Sequence, residues 1–171
     1  MNKFLWNRIA LGTLACCALL FSAERTFATE IKGTVTATWT IYDDSKLVGD
    51  VTCMVEGGPC IVIGASNIKL NLNGFKIIGT IAGCTPDTSG NDGIDVISVN
   101  DVAIFGPGAI QGFGGFGIFL ASGNDVKVEG VTASDNCFSG ILLAGVTNSS
   151  IERNLSVRNS KGSEGNPCGG T

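Results

Sequence analysis

Short apolar runs broken by Gly, Asn, Asp and Ser recur along the chain, and three of them share one frame. Gly93-Ile94-Asp95-Val96-Ile97, Gly117-Ile118-Phe119-Leu120-Ala121 and Gly140-Ile141-Leu142-Leu143-Ala144 each open on Gly-Ile. Each then turns at an Asn-containing step (Asn100, Asn124, Asn148) and resumes as a second short strand. Ile118 follows Ile94 by 24 positions, and Ile141 follows Ile118 by 23. A period of this size marks a solenoid, in which each repeat buries its neighbour's open faces. Alternation of apolar and polar residues within each run predicts strands with one face inward. The expected core is a column of Ile94, Val96, Ile118, Leu120, Ile141 and Leu143, with Val102, Val126 and Ile151 beside it.

The segments before these repeats fit the same pattern less regularly. Residues 31–41 alternate and are rich in β-branched residues, and Asp43-Asp44-Ser45-Lys46 reads as a turn. Residues 29–66 are expected to form an N-terminal cap and a first irregular coil, because a solenoid must blunt its open end. The repeats proper should occupy residues 67–171. In Asn67 to Gly79, Ile68, Leu70 and Leu72 point one way and Lys69, Asn71 and Asn73 the other. Asn73-Gly74 supplies a step that tolerates the left-handed region at a corner. Residues 80–92 are a polar insertion, the most promising place for a local site, since loops carry function more often than scaffolds do. Gly106-Pro107-Gly108 and the glycines of 112–117 should mark tight corners. No Lys-Ser/Thr follows that run, so a phosphate loop is not indicated. Phe113, Phe116 and Phe119 are expected to pack on successive turns, in the core rather than as a sugar platform.

No long segment of the mature region has helical periodicity, and the Leu-x-x-Leu-x-Leu-x-x-Asn frame of leucine-rich repeats is missing. Short strands, Asn-bearing corners and a period near 23 therefore predict an all-β fold, a parallel β-helix of about five coils. The chain stops at Thr171 where another Gly-apolar start is due. The expectation is a fragment of a longer protein, with further coils or a partner covering the open end.

Residues 1–28 read as a leader. Lys3 and Arg8 precede an apolar stretch from Ile9 to Phe21, too short for a membrane span. Cleavage after Ala23 or after Ala28 fits, with Ala28 preferred, and Thr13-Leu14-Ala15-Cys16 matches a lipobox poorly. An exported chain, whether secreted, periplasmic or at the cell surface, is in a compartment that permits disulfides. Cys53 and Cys60 bracket a turn-rich loop and are expected to pair. Cys137 and Cys168 sit at equivalent turns of successive repeats and are the second candidate pair, which leaves Cys84 over. With no histidine and no C-x-x-C pair, a cysteine-based metal site is not indicated, and no cofactor is expected. Net charge is −4 without a basic cluster, which argues against nucleic acid as a partner.

Three stretches, Asn67-Ile68-Lys69-Leu70-Asn71-Leu72-Asn73-Gly74-Phe75, Gly106-Pro107-Gly108-Ala109-Ile110-Gln111-Gly112 and Ser150-Ile151-Glu152-Arg153-Asn154, resemble the right-handed parallel β-helix proteins of the pectin-lyase-like superfamily. The resemblance spans roughly residues 45–171. It implies a right-handed β-helix, and it leaves the activity open, because that superfamily holds lyases, hydrolases and adhesins. Asn91-Asp92-Gly93-Ile94-Asp95 resembles the Asn-Thr-Asp-Gly-Ile-Asp stretch of polygalacturonases, which implies Asp92 and Asp95 as acid and base. That family's Asp-Asp, Gly-His-Gly and Arg-Ile-Lys motifs are missing, so the pair reads first as a corner cap. A β-eliminating lyase would add calcium-binding carboxylates and a cationic base. Lys127, Glu129, Glu152, Arg153 and Arg158 read instead as a solvated ladder, and calcium has no support. The expected function is an exported, non-catalytic module that binds polysaccharide or serves a surface role. The alternative is a fragment of a polysaccharide hydrolase or lyase acting on pectin-like substrates.

Overall fold

The computed structural model describes residues 29–80, 84 and 90–160. The expected leader, residues 1–28, and the stretch 161–171 lie outside the described residues. Within them the chain is all β, with no helix. One sheet holds β1 (Thr29–Val35), β3 (Ser45–Cys53), β5 (Lys69–Asn71), β6 (Lys76–Gly79), β8 (Asn100–Gln111), β10 (Asn124–Ser134), β12 (Ser150–Glu152) and β13 (Leu155–Val157). The other holds β2 (Trp39–Ile41), β4 (Ile61–Ile63), β7 (Ile94–Ile97), β9 (Ile118–Ala121) and β11 (Ile141–Ala144).

The first sheet runs β1-β3-β5-β8-β10-β12. β6 joins β3 and β8, and β13 joins β10, so β5 with β6 and β12 with β13 each fill one row. The second runs β2-β4-β7-β9-β11. Every pairing between these strands is parallel.

Register follows the repeat. Ile61, Ile94, Ile118 and Ile141 line up across the second sheet. Leu70, Ile104, Val128 and Ile151 line up across the first. The inward members of these rows form one continuous core. Each fully buried Ile or Leu contributes roughly 1.5–3 kcal/mol by leaving water. Of the expected core, Ile94, Val96, Ile118, Leu120, Val102 and Val126 are buried. Ile141 is half-buried, and Leu143 and Ile151 are exposed. Those three lie in the last described row, where no further described strand covers them.

Corners are built by left-handed residues stacked row upon row. Asn67 (φ 63°), Asp101 (φ 54°), Asp125 (φ 57°) and Asn148 (φ 49°) form one such column. Asp and Asn enter this region more readily than other side-chain-bearing residues, which is why they recur there. Their neighbours tie rows together. The Asn124 amide donates to Asn100 Oδ1 at 2.9 Å, and the Asn100 amide to Ser66 Oγ at 3.0 Å. At another corner the Phe113 amide donates to Asn136 Oδ1 at 3.1 Å, and the Asn136 amide to Asn159 Oδ1 at 3.0 Å. Asn73 (φ 50°) and Gly74 (φ 85°) adopt the left-handed step expected of them.

The strands of residues 29–66 join the same two sheets, with a register shift between Ile31 and Gly33. Two local expectations change. Gly106-Pro107-Gly108 is not a corner. It lies inside β8, where the register against β10 shifts opposite Glu129 and Val131 and the strand continues. The phenylalanines do not stack on successive turns, because their spacing of three is far below the repeat. Phe113 is buried, while Phe116 and Phe119 stack within one row at 5.5 Å between ring centroids, with Phe138 5.4 Å from Phe116.

Candidate functional site

Asp92 and Asp95 come together at the start of β7. Ile94 and Val96 of β7 point inward, so Asp95 between them faces outward, and Asp92 lies just before the strand. Both are nonetheless buried, at 4% and 7% exposure. The Phe116 amide donates to Asp92 Oδ1 at 2.6 Å. Gly115 makes room for that carboxylate, because a Cβ there would collide with the same oxygen. In the next row Phe119 lies in register with Asp95. Asp95 Oδ1 is buried without a hydrogen-bond partner.

Burial raises the affinity of both carboxyls for protons. Burial first, then the charge of Asp92 and the hydrogen bond to it, push Asp95 up to about 7. Asp92 is also raised by burial, against the opposing Phe116 amide and the hydrogen bond from Asp95. Both carboxyls are raised by burial, and the two titrate as a pair that favours keeping one proton. Such a pair could donate and accept protons, but it is closed to a substrate at this level of burial.

Two disulfides bracket this region. Cys53 pairs with Cys60 as expected, at a Cα–Cα distance of 5.8 Å. Cys137 does not await Cys168. It pairs with Cys84 at a Cα–Cα distance of 5.2 Å. Cys137 lies one row beyond Phe113, its amide donating to the Phe113 carbonyl at 2.8 Å, and the Phe113 row lies one beyond the insertion, so the bond to Cys84 spans the row between. Cys168 lies outside the described residues.

An open groove of about 530 Å³ lies elsewhere, on the outer face of the first sheet. Leu70, Ile104 and Val128 point inward there, so the residues flanking them point out. Lys69, Ala103 and Lys127 form one outward line across β5, β8 and β10, and Asn71, Phe105 and Glu129 form the next. The small Ala103 leaves a gap between the two lysines. Phe105 and Pro107 add apolar walls, and Arg153 enters from the corner after β12. Glu129 is the one carboxylate of the lining; it pairs with Lys127 Nζ at 2.6 Å and with Arg153. The lining thus carries three cations and one acid on a chain whose net charge is −4.

Sequence reading expected Lys127, Glu129 and Arg153 to form part of a solvated ladder, and it left Lys69 unassigned. The available signal was positional. Lys69 in Ile68-Lys69-Leu70 and Lys127 in Val126-Lys127-Val128 occupy the same strand position, with Ala103 in the row between. Arg158 stays outside the groove, its guanidinium paired with Asp135 at 2.7 Å. Among the described residues no three His, Cys, Asp or Glu side chains gather to hold a metal ion. Among the same residues no helix is long and apolar enough to cross a membrane.

No protein-family model, curated protein or solved structure matches the chain. The likeness to pectin-lyase-like proteins therefore rests on the residues quoted above.

Proposed function

We propose that the chain is an exported, right-handed parallel β-helix that binds an acidic polysaccharide in the groove on the outer face of its first sheet. Parallel ladders at the repeat spacing and stacked corner residues support the β-helix. Two disulfides support export. The observation that carries the function is the groove itself. It is open, walled by Phe105 and Pro107, and lined by Lys69, Lys127 and Arg153 against Glu129 alone. An apolar wall suits the faces of sugar rings, and the cations suit their acid groups.

Binding should be tested with a carboxylated or sulfated polysaccharide and a neutral glucan at low salt. Binding of the acidic chain alone, weakened by added salt, is the expected result. Equal binding of the neutral glucan, or none of either, would overturn the proposal. A polysaccharide hydrolase working through Asp92 and Asp95 is the second reading, favoured by the raised proton affinity of both carboxyls. Their burial against the openness of the groove puts binding ahead.

A further inference from the structure

Glu129 occupies the place in the groove that an acid group of a ligand would take. Its Oε2 meets Lys127 Nζ at 2.6 Å, and its Oε1 meets Arg153 Nη2. The cations come from different rows, one from β10 and one from the corner after β12. Lys69, on the line of Lys127 but two rows away, forms no ion pair with a described residue. Two rows at strand spacing separate the lysines by about 10 Å.

We infer that Glu129 is a built-in counter-anion that sets the ligand preference of the groove, a conclusion that rests on the acidic-polysaccharide reading. A ligand with one acid group meets Lys69 freely but must compete with Glu129 for the other two cations. A polymer with acid groups about 10 Å apart engages Lys69 first, and its next group then displaces Glu129 in an intramolecular step at high effective concentration. The exchange is feasible because these ion pairs are exposed. Glu129 is 27% exposed, and Lys127 and Arg153 more so. Exposed pairs are weak and readily replaced. Glu152, the register neighbour of Glu129, already lies 3.8 Å from Arg153 and opposes further negative charge nearby. Glu129 therefore keeps single anions from Lys127 and Arg153, leaving them one weak exposed contact at Lys69, while admitting chains.

The test compares the native protein with Glu129→Gln, which keeps the shape and removes the charge. Ligands are a carboxylated polysaccharide and the single sugar acid glucuronate, titrated calorimetrically at low and high salt. The variant should bind the polymer about two- to fivefold tighter at low salt, the range set by one or two exposed charge pairs. It should also bind glucuronate more tightly than the native protein does, and both gains should fade at high salt. Arg153→Gly removes one partner of Glu129. Gly130 (φ 68°) holds the matching position within β10 one row earlier and Arg153 itself has φ 54°, so glycine suits the backbone there. In that background Glu129→Gln should gain less, as a double-mutant cycle would show. A purely structural role for Glu129 would move the melting temperature and leave glucuronate binding unchanged. If Glu129→Gln matches the native protein while Lys69→Ala weakens binding, the counter-anion falls and the groove stands. If neither protein binds the polymer, the groove reading itself falls.

Discussion

Raising the pH should destabilise this protein across the range where most carboxylates are already ionised. Asp95 has an ordinary value near 3.8 and sits at about 7 in the folded chain. Below its unfolded pKa the group is protonated in both states and has no effect. As pH rises from about 4 to about 7, the unfolded chain releases this proton and the folded chain retains it, so unfolding is favoured. Above the folded value the loss is complete. The gap, at about 1.4 kcal/mol per pH unit, amounts to about 4 kcal/mol. That is a large part of a typical stability of about 5–15 kcal/mol. Asp92 is raised as well, so its contribution has the same sign. Asp95→Asn is the matched variant, because its amide does not titrate and can still donate to Asp92. Denaturant unfolding of both proteins from about pH 4 to about pH 8 measures the effect. The native protein should lose stability through this window, and Asp95→Asn should show a shallower slope and be the more stable of the two near neutral pH. Native stability that holds or rises, or a variant that keeps the full slope, refutes the raised proton affinity of the pair.

Two further perturbations probe the scaffold. Ile118→Ala, at a fully buried position between Ile94 and Ile141, should lower unfolding free energy by about 2–5 kcal/mol. Ile118→Asp should abolish the cooperative transition seen by circular dichroism, and an unchanged melting curve would contradict the inward assignment. Replacing Cys84 and Cys137 by Ser opens a loop with a sequence separation of 53, against 7 for Cys53 and Cys60. Chain entropy then predicts a loss of about 4 kcal/mol for the first pair and about 2 kcal/mol for the second. Denaturant midpoints check the order, and a larger loss from Cys53 and Cys60 would contradict it.

Much of the scaffold was legible because a repeat states the same instruction several times. The Gly-Ile starts at Ile94, Ile118 and Ile141 fall in register, and the Asn and Asp corners fall in left-handed columns. One-row features were harder to read. Gly106-Pro107-Gly108 has corner composition, yet the pairing of β8 with β10 resumes beyond it. Composition cannot weigh that ladder against a turn. Cys137 was matched by repeat position to Cys168, whereas an insertion outside the repeat supplied Cys84. The groove was illegible for a related reason. Lys69 and Lys127 are 58 positions apart in sequence and come close only because parallel rows stack through Ala103. The carboxyl pair was singled out by its resemblance to a known stretch, and its burial depends on neighbours such as Phe116 and Gly115 in the next row.

The most direct test of the functional account is the affinity of the native protein and of Lys69→Ala/Lys127→Ala for one acidic polysaccharide at low salt. Both lysines are on the outer face, away from the core, so the double variant should unfold as the native protein does. The account predicts saturable binding by the native protein and a loss of about tenfold or more in the variant. An unchanged affinity in a folded double variant would contradict it.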